Sequence, residues 1–95
     1  EANRIVVKTG NNIRIVPTQD ILYLEAYDDY VKIYTQEGFF LKKKTMNHYE
    51  SVLDSQRFLR VHRSYIINIQ QITRIEMLEK DSHIAILRTG SKVPL

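Results

Sequence analysis

The sequence predicts a mainly antiparallel β domain with one short helix. Three observations predict it. Short runs rich in Val, Ile, Tyr and Phe recur along the chain. Turn signals built from Gly, Asn, Asp and Ser separate those runs at intervals of roughly 6 to 10 residues. Only residues 45–53 repeat their apolar positions at helical spacing. The chain is 95 residues long, which makes one domain, and 43% of it is hydrophobic, enough for a core without staples.

Residues 4–8 hold the β-rich run Ile5-Val6-Val7. Gly10-Asn11-Asn12 follows, and Gly and Asn tolerate the positive φ of a tight turn. Residues 13–16 resume a strand, so the two runs pair as a hairpin, and Pro17 ends it because it has no N–H for the ladder. Asp20 introduces Ile21-Leu22-Tyr23-Leu24-Glu25-Ala26, a nearly continuous apolar run expected of a strand buried on both faces. Tyr27-Asp28-Asp29 is a turn. Residues 30–35 then alternate, with Val31, Ile33 and Thr35 on one face and Tyr30, Lys32 and Tyr34 on the other. Gln36-Glu37-Gly38 turns again, and residues 39–43 form a strand that runs into Lys42-Lys43-Lys44.

Thr45 can cap a helix over residues 45–53, whose Met46, Tyr49, Val52 and Leu53 form one apolar stripe facing a core. Ile69-Gln70-Gln71 is a short connection. Residues 72–78 alternate again, Glu79-Lys80-Asp81-Ser82 is a polar turn, residues 83–88 form a strand, Thr89-Gly90-Ser91 turns, and residues 92–94 begin another strand. The tally is about eight strands and one helix.

Residues 58–68, Phe58-Leu59-Arg60-Val61-His62-Arg63-Ser64-Tyr65-Ile66-Ile67-Asn68, combine two chemistries. Phe58, Val61, Tyr65, Ile66 and Ile67 suit a core. Arg60, His62, Arg63 and Ser64 suit a phosphate or a base edge, because Arg offers a fixed fork of donors and keeps its charge. A solvated face of surface ion pairs is the plainer account of such an edge. The charge distribution favours the first. The formal net charge is only +3, yet residues 39–65 carry six basic and two acidic side chains, while the remainder carries eight basic and nine acidic ones. A local positive footprint of that kind fits a polyanion.

Other classes find less support. The chain has no Cys, which removes disulfide and thiolate chemistry and fits a cytoplasmic location. No apolar run approaches the ~20 residues of a membrane span, so no membrane contact is expected. His48, His62 and His83 lack metal-ligand spacing, and no cofactor is expected. His62 and Ser64 stand two apart with no Gly-rich oxyanion feature nearby, so the chain is not read as an enzyme. A β-rich module for protein or single-stranded nucleic acid is the main alternative, since Tyr27, Tyr30, Tyr34, Phe39 and Phe40 are rings on which bases could stack, although strand alternation assigns at least half of them to core. The chain opens at Glu1 without Met and stops at Val93-Pro94-Leu95, inside an expected strand, and is read as a fragment.

The order of these motifs resembles the LytTR DNA-binding domain of LytR/AlgR-type bacterial response regulators. The resemblance runs from about residue 7 to Leu95. It rests on Asp20-Ile21-Leu22-Tyr23-Leu24-Glu25-Ala26, on Asp28-Asp29-Tyr30-Val31-Lys32-Ile33, on residues 58–68 and on Ile72-Thr73-Arg74-Ile75. It implies elongated antiparallel β-sheets with no recognition helix, which read major grooves through loops. It implies promoter DNA with repeated half-sites, pairing with a second copy, and control by a sensor histidine kinase acting on a receiver domain outside these residues.

Position by position, the resemblance implies three contact regions. Asp29 and Tyr30 match base-reading positions in the loop after Glu25, while Asp28 is assigned to the turn itself. Lys44 and Thr45 match phosphate-contacting positions at the helix start. Arg63 matches a base-reading position and Ser64 a phosphate-holding one. Lys43 and Arg60 are assigned to phosphate attraction. His62 stands between a phosphate contact and a brace for the loop. Asn68 is expected to tie backbone at a strand end. Family members continue past the position of Leu95 with a Ser-Arg-like pair and a helix, so the resemblance implies that the fragment lacks one base contact.

Overall fold

The computed structural model describes residues 3–95. Ten strands and one α-helix follow in order: β1 (Arg4–Thr9), β2 (Asn12–Pro17), β3 (Tyr23–Tyr27), β4 (Tyr30–Thr35), β5 (Gly38–Lys42), α1 (Met46–Val52), β6 (Phe58–His62), β7 (Tyr65–Asn68), β8 (Ile72–Glu79), β9 (Ser82–Leu87) and β10 (Lys92–Pro94). Single turns of 3-10 helix at Thr18–Asp20 and Ile69–Gln71 link β2 to β3 and β7 to β8. The two strands beyond the expected eight come from residues 58–68, which fold as a hairpin turning at Arg63-Ser64.

All pairing is antiparallel, in three sheets: β1-β2, a central β5-β4-β3-β7-β6, and β10-β9-β8. The central sheet separates two cores, and strand alternation decides which side chain joins which. Leu24, Val31, Ile33, Ile66 and Phe58 pack with Ile5, Val7 and Val16 of the first hairpin and with Met46, Tyr49 and Leu53 around α1. On the other face, Ile67, Tyr23, Tyr34 and Tyr65 pack with Ala85, Leu87 and Val93 of the third sheet. The apolar run 21–26 feeds both: Ile21 and Leu24 go to the first core and Leu22 to the second, although ladder pairing begins only at Tyr23. Burying each such Leu or Ile side chain contributes ~1.5–3 kcal/mol. The resulting body measures 46 × 24 × 24 Å, the elongated mainly β architecture the sequence leads one to expect.

Two polar residues lock the frame. Asn68, 1% exposed, donates from Nδ2 to the Ile21 carbonyl at 2.9 Å and accepts the Gln70 N–H on Oδ1 at 3.1 Å, the backbone tie expected at that strand end. Thr45 caps α1 through its Oγ1, which accepts the His48 N–H at 3.0 Å.

Candidate nucleic-acid interface

The register of the central sheet brings three separate segments to one end. Lys42 pairs with Val31, Ala26 with Val31, Glu25 with Tyr65, and Tyr65 with His62. The end of β3, the start of β4, the end of β5, the end of β6 and the start of β7 are therefore neighbours. Five strands at ~4.8 Å spacing make that end about 19 Å wide. Asp28, Asp29 and Tyr30 line a shallow concavity with Lys43, Lys44 and Thr45. The Arg63-Ser64 turn joins them through a bond from the Ala26 N–H to the Ser64 carbonyl at 2.9 Å.

Each segment has a local cause. Asp28 adopts φ 56°, the left-handed conformation that Asp tolerates better than most residues, and it closes the β3–β4 turn as expected. Asp29 and Tyr30 are exposed beside it. Lys43 and Lys44 follow β5 on the surface, and among the described residues neither enters an ion pair. The Thr45 oxygen is used as the cap, which leaves its hydroxyl hydrogen to donate outward. Arg63 projects from the β6–β7 turn with an exposed side chain that forms no ion pair among the described residues.

Two of the sequence-assigned residues make contacts within the protein. His62 Nδ1 accepts the Ser64 N–H at 3.0 Å, and its ring meets Tyr65 edge-on at 5.6 Å between centroids. Its bracing alternative therefore describes the geometry. The tautomer follows, since an accepting Nδ1 leaves the proton on Nε2. Arg60, assigned to phosphate attraction, turns inward instead. Its Nη1 donates to Asn47 Oδ1 at 2.5 Å and to Glu50 Oε1 at 2.9 Å, and its Nη2 donates to the Arg63 carbonyl at 2.6 Å. The side chain is 21% exposed, against 55% for Glu50. Arg60 pairs with Ile66 in regular register and lies on the same face as Phe58, toward α1, while the β-bulge that follows it breaks strict alternation and swings His62 to the side of Tyr65. No signal in the sequence marks that bulge.

Behind this end, Glu25 fastens three strands together. Its two oxygens accept the Tyr34 hydroxyl and the Tyr65 hydroxyl, each at 2.9 Å. Tyr23 stacks on Tyr34 with 4.3 Å between ring centroids. Burial, then the hydrogen bond to Glu25, pushes the Tyr65 hydroxyl from 10.0 up to about 12 and raises Tyr34 further. Burial and the charge of Glu25 also raise Tyr23. All three phenols stay protonated near neutrality, and those of Tyr34 and Tyr65 donate to Glu25.

Of the five rings weighed as base platforms, Tyr34 and Phe40 are half-buried and Tyr27, Tyr30 and Phe39 are exposed, one more exposed ring than alternation implied. Tyr27 and Phe39 are not open platforms, because Lys32 Nζ lies 4.2 Å and 4.7 Å from their ring centroids. Among the described residues no cluster of three or more His, Asp or Glu side chains can hold a metal, and no helix is long and apolar enough to cross a membrane.

Comparison with known proteins converges on one family. The model of the LytTr DNA-binding domain matches residues 11–95. The sensory transduction protein LytT of Bacillus subtilis is 30% identical over 98% of this chain, and the transcriptional regulatory protein LytR of Staphylococcus aureus is 28% identical over 92%. The match spans only 39% and 35% of those two relatives. Among solved structures, the LytTr DNA-binding domain of a methyl-accepting/DNA response regulator from Bacillus cereus superposes with a TM-score of 0.90 at 26% identity, covering 99% of this chain and 86% of that one. With a shared fold over nearly every residue and a family match over residues 11–95, the chain belongs to the LytTR family of DNA-binding domains.

Proposed function

We propose that the chain binds double-stranded DNA in a sequence-specific way, as the output domain of a transcriptional response regulator, and that it reads major grooves through turns rather than a helix. The observation that carries this reading is the gathering of the Asp28–Tyr30 turn, the Lys43-Lys44-Thr45 segment and the Arg63-Ser64 turn at one end of a rigid sheet. Arg63 and Tyr30 are the base readers, with Asp29 able to accept from a cytosine amino group. Lys43, Lys44, Thr45 and Ser64 hold phosphates, which set register without reading sequence. Promoter DNA with repeated half-sites, a second copy on the neighbouring half-site, and a sensor histidine kinase acting on a receiver domain complete the reading. LytT and LytR, named as transduction and regulatory proteins, support it.

The test is a titration with duplexes selected from a randomised pool, and with their single strands, at two salt concentrations. The reading expects duplex preference with a steep salt slope. Lys44→Ala is expected to weaken all duplexes alike and to reduce the slope by about 0.9. Arg63→Ala is expected to lose ~1–3 kcal/mol of discrimination at one position of each half-site. Preference for single strands, or indifference to both, overturns the reading.

A further inference from the structure

We infer that Arg60 is a positioning residue: it ties α1 to the β6–β7 turn, so that the Lys44–Thr45 and Arg63–Ser64 segments meet a duplex at a fixed separation and Arg63 leaves the turn in one direction. This rests on the duplex reading above.

The geometry is that of a strut with a fork at its end. Asn47 and Glu50 lie three residues apart, on one face of α1. Both accept from Nη1 of Arg60, while Nη2 reaches across to the Arg63 carbonyl. The guanidinium is planar and rigid, so holding one side of it on the helix fixes the other side against the turn. The Arg60 Nε is buried and has no acceptor among the described residues, so the donors that reach those residues all point at these three oxygens.

The consequence falls on a single peptide group. The bond between Arg63 and Ser64 has its oxygen held by Arg60 at 2.6 Å and its N–H held by His62 Nδ1 at 3.0 Å. A peptide is planar, so two anchors on opposite edges fix its orientation. The next carbonyl, that of Ser64, is held by the Ala26 N–H. The turn that carries Arg63 is thus fastened to α1, to β6 and to β3. Lys44 and Thr45 lead directly into the helix that holds the other side of the fork. Neither Arg60 nor His62 needs to touch DNA to set where Arg63 points.

Arg60→Lys separates this role from a phosphate contact, because Lys keeps the charge but loses the planar fork. The proposal expects Arg60→Lys to lose discrimination at the base read by Arg63 about as fully as Arg63→Ala does, roughly tenfold or more. The salt slope stays at the wild-type value, and adding Arg63→Ala to Arg60→Lys costs no further discrimination. A phosphate contact behaves oppositely, since Arg60→Lys keeps discrimination and Arg60→Ala lowers the slope by about 0.9. Asn47→Ala, on the exposed face of α1, serves as the milder variant should Arg60→Lys fail to melt cooperatively. It removes one acceptor and is expected to lose discrimination about two- to tenfold. A reading without DNA accompanies these: hydrogen exchange at the Ser64 amide of the free chain is expected to speed up in Arg60→Lys and Asn47→Ala. Wild type that lacks duplex preference defeats the function while the exchange rates still judge the strut. Wild type that discriminates, beside an Arg60→Lys that discriminates equally with unchanged Ser64 exchange, defeats the strut alone.

Discussion

His62→Ala is the perturbation whose outcome the geometry fixes most fully. The imidazole makes two contacts that alanine cannot: the acceptor for the Ser64 N–H at 3.0 Å and the edge-on ring pair with Tyr65 at 5.6 Å. A hydrogen bond of this kind contributes about 1 kcal/mol, and an aromatic pair a similar ~1 kcal/mol. The loss is therefore ~2 kcal/mol, which for a domain of this size lowers Tm by roughly 8–16 °C. His62→Asn divides the sum, because an Asn oxygen can accept an N–H two residues on while offering no ring. It is expected to recover about half of the lost stability. Thermal melts followed by circular dichroism measure both variants, and duplex titrations at two salt concentrations accompany them. A brace leaves the salt slope unchanged in His62→Ala. Wild-type melting together with a slope shallower by about 0.9 would show instead that the ring holds a phosphate.

Two further outcomes follow from the frame. Asn68→Ala strands the buried Ile21 carbonyl and the Gln70 N–H, so a loss of ~2–3 kcal/mol is expected, read from denaturant midpoints with an unchanged m-value. A melt within a degree of wild type would mean that those groups find other partners. Stability is also expected to fall as pH rises from 10 toward 12. The unfolded chain loses the Tyr65 proton near 10.0 while the folded chain keeps it up to about 12, so the folded state binds more protons across that window and each step upward favours unfolding. Tyr34 adds to the same trend. Glu25→Gln removes the carboxylate partner, and the ultraviolet absorbance of tyrosinate is expected to rise at lower pH in that variant. Identical titration curves for the two proteins would refute the role given to Glu25.

How much of this was legible in the chain depended on whether the cause was local. Turns at Gly10, Asp28 and Gly38 need positive φ, and the residues that permit it stand in the sequence. The cap at Thr45 and the stripe Met46, Tyr49, Leu53 are equally local, and both stand in the structure. The 3-10 turn at Thr18–Asp20 left no signal, because Pro17 and Asp20 serve a loop as readily as a helical turn. Residues 58–68 mixed the two cases. Their family string was distinctive, but the bulge that turns His62 toward Tyr65 arises in the pairing with β7, which alternation along one strand cannot reveal. The charge of Arg60 suggested a phosphate, whereas Asn47 and Glu50, 13 and 10 residues earlier in the chain, decided where it points.

The central claim is that a duplex meets one end of the central sheet, where two turns and the Lys43-Lys44-Thr45 segment are held together. Amide chemical shifts of the chain, recorded as a selected duplex is added, test it most directly. The account predicts the largest changes at residues 28–30, 43–46 and 63–64, with the β1-β2 hairpin and the tip of the β8–β9 hairpin near Lys80 left unmoved. Changes centred on either of those hairpins, with residues 63–64 unaffected, would contradict it.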